Sequence, residues 1–425
     1  MKDSLMKLST IPLLFSATIA ASPAAPFLEE ELKATDQKKL GKEIAAYFEA
    51  KAEEKGIAEA LEGVDEAIEK LNKKLKGRSV LSMVDDLERA VFYANDYGKK
   101  RVSKGKGRVD DMPIEHPFFG EFDIAIHAPK TYDGDKGPYG MVLSIPDEGE
   151  DPKAHLTEDW ADADARKENI LVSFYMPKST DMWEELGELE AAGGVGLIMA
   201  SLGELVSNFA IDMDRVYICG SGRGVPVAAK IASLFPHVFA GLMGRGGDLA
   251  EGTDPTNFQN IPTLFAGGGG NCTDFEAAVK EAGFDNCTIQ PGAGESDLWA
   301  WMGQHIRNPV PSRVSFAPTT FVSNSAYWLQ LEAFEPGNCR VEAVVDRDNN
   351  TIEVTGEGVS NLRIYFNDQL VDMDKPVMVT VNGAAHKEQV PRNFQVMLAN
   401  AFQNGDTGRV FTNSVSYTVG AVQTQ

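Results

Sequence analysis

Basic residues are scarce in this chain of 425 residues. The 40 lysines and arginines stand against 63 aspartates and glutamates, which gives a formal net charge of −23. Such a chain repels a polyanion, whether nucleic acid or an anionic membrane surface, unless a local basic patch dominates. The basic run Lys99 to Arg108 is interpreted as a solvated linker against the protein's own acidic surface, not as a patch for an acidic partner. We therefore predict no nucleic-acid partner.

Cysteine is also rare, and no spacing in the chain resembles a zinc site. The sequence therefore predicts no metal and no cofactor. A disulfide between Cys272 and Cys287 stays open, because spacing alone fixes no geometry. Cys219 is interpreted as a small buried hydrophobic residue and not as a reactive thiol.

Long apolar runs are absent after the N-terminus. Lys2 and Lys7 precede an uncharged stretch from Leu8 to Ala25 that ends in small residues, which is the order of a secretory signal peptide. Its apolar part is too short to span a bilayer. We therefore expect residues 1–25 to be a signal peptide, the protein to be secreted or periplasmic, and no membrane insertion after its removal. The alternative is a buried N-terminal helix.

The rest of the chain divides into four regions by composition. Residues 26–101 are rich in Ala, Glu, Lys and Leu, with apolar residues at helical spacing, and predict a small helical domain of about three helices. A coiled-coil dimerisation arm is the alternative, although heptads are not sustained. A basic linker (102–117), an α/β domain (118–311) and a C-terminal β-rich module (312–425) follow.

The α/β region alternates short β-rich runs with helical ones, which predicts a mostly parallel sheet with flanking helices. Two of the predicted helices are Trp183–Leu189 and Ala191–Phe209. In open sheets of this kind, ligands bind at the carboxyl ends of the strands. After Ser312 the runs alternate and predict a small antiparallel, sandwich-like module. Asp346 to Glu357 has the spacing of a calcium loop, but a hairpin turn is the favoured interpretation.

The segment Arg215 to Gly224, RVYICGSGRG, joins an apolar run to a glycine-rich turn and an apolar helix. This is the setting of a nucleophile elbow, in which G-x-S-x-G places a serine on a strained turn after a strand. The frame here is Gly220-Ser221-Gly222-Arg223-Gly224, so the nucleophile position falls on Gly222. Glycine has no side chain that could attack a carbonyl. A shifted register would use Ser221, which we expect to point away from the site.

Three segments resemble secreted esterases and peptidases of the α/β-hydrolase superfamily, in the branch that is similar to prolyl oligopeptidases and polyhydroxyalkanoate depolymerases. They are Asp214–Gly220, Phe235–Gly241 and Ile261–Gly267. The resemblance spans roughly Phe122 to Arg313, with a plausible match in the C-terminal module. It implies an α/β-hydrolase-type sheet, preceded by the small helical domain and followed by the antiparallel module. It implies no activity, because each catalytic position must be checked singly.

The remaining catalytic positions of that family also fall on unsuitable residues. The acid position falls on Gly270 or Asn271, neither of which ionises, and the histidine position falls on Glu295. The oxyanion segment reads Pro146-Asp147, where proline has no N–H and a carboxylate repels an oxyanion. The six histidines are scattered, and even His305, the best placed, is interpreted as structural.

Three functions stay open. The leading hypothesis is an α/β-hydrolase-fold pseudoenzyme that binds a small molecule, a glycan or an envelope or extracellular protein. Its candidate ligand-binding residues are Gly222, Arg223, Gly224, Asp147 and Glu295, since the N–H groups that open a helix favour anions. A surface salt bridge is the equal alternative for Arg223. The second hypothesis is an active hydrolase of ester, peptide or glycan bonds that uses Asp147, Glu295 or a metal, and the third is an envelope interaction protein. The sequence does not fix the oligomeric state.

Overall fold

The computed structural model describes residues 32–95, 97, 105–135 and 137–420. The predicted signal peptide lies outside the described residues, and so does most of the basic run. Within the described part of the chain, every helix is too short or too polar to cross a bilayer.

The N-terminal region forms three helices, as expected: α1 (Ala34–Ala52), α2 (Ile57–Lys74) and α3 (Val84–Ala94). Leu40 and Ile44 of α1 recur at helical spacing and are buried against the other helices. Their core also includes Met397 and Leu398 from the far end of the chain. The helical region is therefore packed onto the C-terminal module and is not a free arm.

The central sheet has eight strands in the order β1-β2-β4-β3-β7-β8-β9-β10. Strands β1–β2 and β2–β4 are antiparallel, and the other neighbours are parallel. The strands are β1 (Asp110–His116), β2 (Gly120–His127), β3 (Tyr139–Ile145), β4 (Asn169–Phe174), β7 (Ile211–Ser221), β8 (Gly241–Arg245), β9 (Thr263–Ala266) and β10 (Cys287–Ile289), with a separate hairpin of β5 (Gly187–Glu188) and β6 (Ala191–Ala192). This confirms the α/β-hydrolase-type sheet expected from the sequence.

Helices cover both faces of this sheet. They are α4 (Pro152–Glu158), α5 (Gly194–Asn208), α6 (Gly224–Leu234), α7 (Gly270–Glu281) and α8 (Glu295–Met302). One face buries apolar side chains of α5, α6 and α7. The other face buries Leu156 of α4, Leu298 of α8 and Trp160 together with Cys219. The α4 face is the one that bears on the site.

The C-terminal module is a sandwich of two sheets around one core, as expected. Its strands are β11 (Arg313–Phe316), β12 (Ser325–Ala326), β13 (Leu329–Phe334), β14 (Arg340–Asp346), β15 (Thr351–Glu357), β16 (Val359–Phe366), β17 (Val377–Val381), β18 (Ala384–Glu388) and β19 (Asn413–Thr418), and helix α9 (Phe394–Asn404) precedes the last strand. The pair β15–β17 is parallel, which the alternating pattern alone does not reveal. The hairpin between β14 and β15 is confirmed at the calcium-like spacing.

Three details differ from the expectations or complete them. The sheet begins earlier than expected, because β1 lies within the range assigned to the linker. The prediction of a helix over Trp183–Leu189 is wrong. Gly187 has a positive φ of 94°, which a helix does not allow, and it begins the tight β5–β6 hairpin. All four cysteines are buried and free, so Cys272 and Cys287 are not joined.

Candidate functional site at the carboxyl edge of the sheet

The turn between β7 and α6 has the shape of a nucleophile elbow. Gly222 has a φ of +51°, a left-handed conformation that side chains other than glycine's rarely adopt. A Cβ on Gly220 would lie 2.3 Å from the carbonyl oxygen of Gly224, so the chain doubles back closely at this point. The sequence therefore keeps glycine where the backbone requires it, and the central glycine relieves the strain that an elbow serine would store.

The carboxylate of Asp147 occupies the space beside Gly222. A Cβ on Gly222 would lie 2.0 Å from Cγ of Asp147, which is closer than any real contact. Oδ1 of Asp147 accepts hydrogen bonds from the backbone N–H of Arg223 at 2.7 Å and of Glu148 at 2.8 Å. The side chain of a residue at position 222 would collide with this carboxylate. The N–H that follows a nucleophile, which is an oxyanion donor in active enzymes, is thus bound to the protein's own carboxylate.

The side chain of Arg223 is also engaged within the chain. Its Nη1 lies 3.0 Å from Oε1 of Glu184, and both side chains are about one-third exposed. This contact matches the surface salt bridge considered from the sequence. Binding of an external anion by Gly222, Arg223 and Gly224 stays a prediction, and such an anion would have to displace Asp147.

Glu295, which was predicted to lie at the histidine position, is the first residue of α8. Its Oε1 accepts hydrogen bonds from the backbone N–H of Asp162 at 2.7 Å and from Nε1 of Trp299 at 2.9 Å. These contacts tie the loop after α4 to the start of α8. Asp147 and Glu295 thus make separate contacts, and the structure shows no joint site formed by the two.

Gly270, which was predicted with Asn271 as the acid position, begins α7 and contributes no side chain. The nearby acid is Asp248, whose carboxylate accepts hydrogen bonds from the N–H groups of Leu249, Asn271 and Cys272. Burial raises the pKa of Asp248, but these hydrogen bonds outweigh it and lower that pKa overall. Asp248 therefore serves as an ionised cap of α7. The sequence analysis missed it because it follows β8 rather than β9.

A cavity of about 410 Å³ opens at the carboxyl ends of β3, β7, β8 and β9. This is the edge at which the fold predicts a ligand. The residues that line the cavity are Asp147, Glu150, Asp159, Ser221, Gly222, Arg245, Gly246, Ala266 and Ala293. Three carboxylates and one guanidinium dominate the lining, so the cavity is polar and carries excess negative charge.

Beside the cavity, His155 of α4 joins two of these carboxylates to the sheet. Its Nδ1 lies 3.0 Å from Oε1 of Glu150 and 3.1 Å from Oδ2 of Asp159. Its Nε2 lies 2.7 Å from Oγ of Ser144, which also accepts a hydrogen bond from Nε1 of Trp160. The order Ser, His, acid resembles that of a serine hydrolase, but Ser144 is completely buried within β3. No substrate can reach Ser144, so we assign this arrangement no acyl transfer.

From the sequence, His155 was only one of six scattered histidines. The signal that could have revealed it is its spacing, because Glu150, His155 and Asp159 fall within ten consecutive residues around one short helix. His155 and Asp159, four residues apart, share one face of that helix. Seven helical residues give too little periodicity to make this face evident from the sequence.

The expectation for Ser221 was wrong. Ser221 lines the cavity, and its side chain is buried with no hydrogen-bond partner for Oγ in the described structure. Cys219, two residues earlier in β7, is completely buried, as expected. Burial raises the pKa of the Cys219 thiol to about 12, which keeps it protonated and unreactive.

No protein-family model matches this chain, and no curated protein matches it. Solved structures do resemble it, over about half of its length. A thermostable esterase shares 15% identity over 48% of this chain, with a TM-score of 0.39, and this chain covers 64% of that esterase. An S-formylglutathione hydrolase from Agrobacterium tumefaciens shares 15% over 46% of this chain and 92% of that protein, with a TM-score of 0.35.

A third solved structure is LpqC, a poly(3-hydroxybutyrate) depolymerase from Bordetella parapertussis. It shares 13% identity over 49% of this chain and 95% of its own length, with a TM-score of 0.36. Identities and scores this low carry no activity over to this chain. Its α/β-hydrolase-type fold rests on the order and direction of its own strands and on the turn at Gly222.

Proposed function

We propose that this chain is an exported α/β-hydrolase-fold pseudoenzyme that binds a ligand or partner at the carboxyl edge of its sheet. The observation that carries the proposal is the position of the Asp147 carboxylate. It fills the space that a nucleophile side chain at Gly222 would need, and it accepts a hydrogen bond from the backbone N–H of Arg223. Acyl transfer at this turn has neither an attacking atom nor a free donor for the oxyanion.

The surroundings of the turn support this proposal. A developing oxyanion beside Gly222 would face the negative charge of Asp147, and Pro146 has no N–H to offset that repulsion. The histidine position holds Glu295, whose carboxylate is occupied by Asp162 and Trp299. The cavity itself, at about 410 Å³ and polar, is of the size of a small-molecule site.

The contacts also weigh against the two competing hypotheses. A hydrolase built on Asp147 and Glu295 would need both carboxylates at one substrate, whereas each is held by different neighbours. An envelope protein that assembles through its helical arm would need that arm to be free, whereas α1 and α3 share their core with α9.

The test combines ester turnover with fluorophosphonate labelling of the native protein. We expect neither turnover nor labelling. Gly222→Ser is expected to stay inert because Asp147 occupies the place of the new hydroxyl, and the double variant Asp147→Ala, Gly222→Ser is expected to stay inert because no histidine is among the residues that line the cavity. Turnover by the native protein that a fluorophosphonate blocks would contradict the proposal.

Export is supported by the basic, apolar and small-residue order of the first 25 residues. We expect the mature protein, recovered from periplasm or medium of an expressing bacterium, to begin near Ala25, as judged by its intact mass. Recovery of the full-length chain from the cytoplasm alone would contradict export.

A further inference from the structure

We propose that Glu150, His155 and Asp159 bind a divalent transition-metal ion of the Zn²⁺ or Mn²⁺ type at the edge of the cavity. The inference rests on the proposed function and deepens it, because it names a class of ligand for the same cavity. One oxygen from each carboxylate and Nδ1 of His155 would be the protein ligands. One imidazole with two carboxylates is a donor set that these ions accept, whereas Mg²⁺ and Ca²⁺ favour oxygen alone.

The three donor atoms are already close together. They lie within 4.8 Å of one another, and Nδ1 is 3.0 Å from Glu150 and 3.1 Å from Asp159. Bonds of about 2.0–2.2 Å at tetrahedral angles would separate such atoms by about 3.3–3.6 Å. Admission of an ion therefore needs only small side-chain shifts and an Nδ1 without a proton.

The helix α4 holds these residues in place. Asp151 caps its N-terminus by accepting hydrogen bonds from the N–H groups of Lys153 and Ala154. Glu150 directly precedes this cap and Asp159 directly follows the helix. The capped helix thus fixes the spacing of His155 and Asp159, and Glu150 lies in the loop directly before its cap.

The second nitrogen of His155 is held in the manner of a metal-binding histidine. Its Nε2 contacts Oγ of Ser144, and that oxygen also accepts the indole N–H of Trp160. His155 is completely buried, so its ring cannot turn towards water. These contacts fix the ring orientation and direct Nδ1 to the two carboxylates.

The charges around the cluster favour a cation. Asp147, Glu150 and Asp159 line the cavity together, against the single guanidinium of Arg245. Nη1 of Arg245 donates to the backbone oxygen of Asp159 at 3.1 Å and lies 3.4 Å from its Oδ2. One positive charge leaves the three carboxylates undercompensated, and a divalent ion would correct the balance.

An independent observation, at Ser221, also points to a ligand. The residue is only 8% exposed, and its hydroxyl has no hydrogen-bond partner. Ser221 pairs with Arg245 across the parallel strands β7 and β8, so both side chains lie on the face of the sheet that α4 covers. A buried hydroxyl without a partner is unfavourable, so the wall of the cavity contains a polar group that the described chain does not satisfy.

The experiment is calorimetric titration of untagged, metal-free full-length protein with Zn²⁺, with Mn²⁺ and with Mg²⁺. We expect one Zn²⁺ or Mn²⁺ ion per chain and much weaker binding of Mg²⁺. Glu150→Gln and Asp159→Asn should each weaken binding about tenfold or more, and Ser144→Ala should weaken it about tenfold through loss of ring orientation. Glu148→Gln, an exposed acid of the same loop, is the matched control and should bind as the native protein does.

Two outcomes would overturn the inference: the absence of stoichiometric binding, or binding that Glu150→Gln and Asp159→Asn leave unchanged. Both substitutions are at partly exposed positions, and thermal unfolding of each variant checks its fold. The result is separate from the test of the proposed function. If the protein neither binds metal nor reacts with fluorophosphonate, only the proposed metal site is contradicted. If it reacts with fluorophosphonate, only the proposal of a pseudoenzyme is contradicted.

Discussion

Two of the places where carboxylates lie next to an arginine differ in their exposure and in the balance of their charges. The first is the cavity, where Asp147, Glu150 and Asp159 face Arg245 and the space opens to solvent. The second, which we name the junction cluster, consists of Asp214, Arg307 and Asp406, where the α/β domain meets the C-terminal module.

In the junction cluster the donors and acceptors are matched. Nε of Arg307 donates to Asp214 at 2.9 Å, while Nη1 and Nη2 donate to the two oxygens of Asp406 at 2.6 and 2.9 Å. Arg307 and Asp406 are 3% and 5% exposed. The attraction of Arg307 holds the pKa of Asp406 below its usual value despite burial, so its charge persists in the fold.

The comparison separates a structural use of charge from a functional one. Buried charges must be paired and hydrogen-bonded, and the junction cluster meets that demand within the chain. The cavity carboxylates also have partners within the chain, but they are partly exposed and outnumber the guanidinium of Arg245, and Ser221 lacks a partner. The cavity, whose negative charge exceeds its positive charge and which opens to solvent, can accept a ligand. The junction cluster, whose charges are buried and paired, cannot.

The largest effect is expected at the junction cluster. Arg307→Met would leave the buried Asp406 and the partly exposed Asp214 without this partner, so we expect the free energy of unfolding to fall by about 3–5 kcal/mol. Denaturant unfolding measures the change. Arg313→Ala, which removes a half-exposed pair with Glu342, is the control and should cost less than about 1 kcal/mol. Similar losses for the two variants would show that the buried junction cluster stabilises the fold no more than an exposed ion pair does.

A buried ionisable group with no opposite charge provides the next test. Burial, aided by the positive charge of Arg166, lowers the pKa of His127 to about 4. The unfolded chain therefore binds a proton that the folded chain refuses between about pH 6.5 and pH 4. Stability is full above that window and is lost as the pH falls through it, by about 1–2 kcal/mol after allowance for solvent screening.

The measurement is the free energy of unfolding against pH for the native protein and for His127→Gln. The variant should show a shallower loss between pH 6.5 and pH 4, because it has no group to protonate there. His386→Gln, at a less buried histidine of β18, is the control and should keep the native slope. An unchanged slope in His127→Gln would show that this histidine does not carry the acid sensitivity.

The cavity's own carboxylate should give a smaller effect. Gly222→Ala must adopt a positive φ and displace Asp147, which is exposed and can move, so we expect a loss of about 1–2 kcal/mol. In an Asp147→Ala background the collision is absent and only the backbone cost remains. A double-mutant cycle should therefore show a coupling of about 0.5–1 kcal/mol. Simple additivity would mean that Asp147 does not occupy the space beside Gly222.

The smallest effect is expected for Arg223→Ala. The pair with Glu184 is partly exposed, so its removal should change the free energy of unfolding by less than about 1 kcal/mol. The backbone N–H that binds Asp147 is kept in this variant. A loss as large as that of Arg307→Met would show that the edge of the cavity is as tightly built as the junction cluster.

The sequence predicted those parts of the site that depend on local pattern. The elbow frame, with glycine at its centre and an apolar strand before it, placed the turn correctly. The interpretation of Pro146 and Asp147 as an unsuitable oxyanion segment stays a prediction. The sequence analysis did not foresee that Asp147 would reach Gly222, because that contact joins the ends of β3 and β7 and depends on their parallel pairing.

The sequence alone was enough to predict the layers and to place a glycine at the centre of the turn, because the periodicity of apolar residues and the identity of residue 222 do not depend on distant neighbours. Only the tertiary structure decided which charges meet. It brought Asp406 to Arg307, turned His155 towards Glu150 and Asp159, and left Ser221 buried without a partner. The physical reason is that a side chain's electrostatic role depends on neighbours that are distant in the chain, or on a helix face too short for its sequence to reveal.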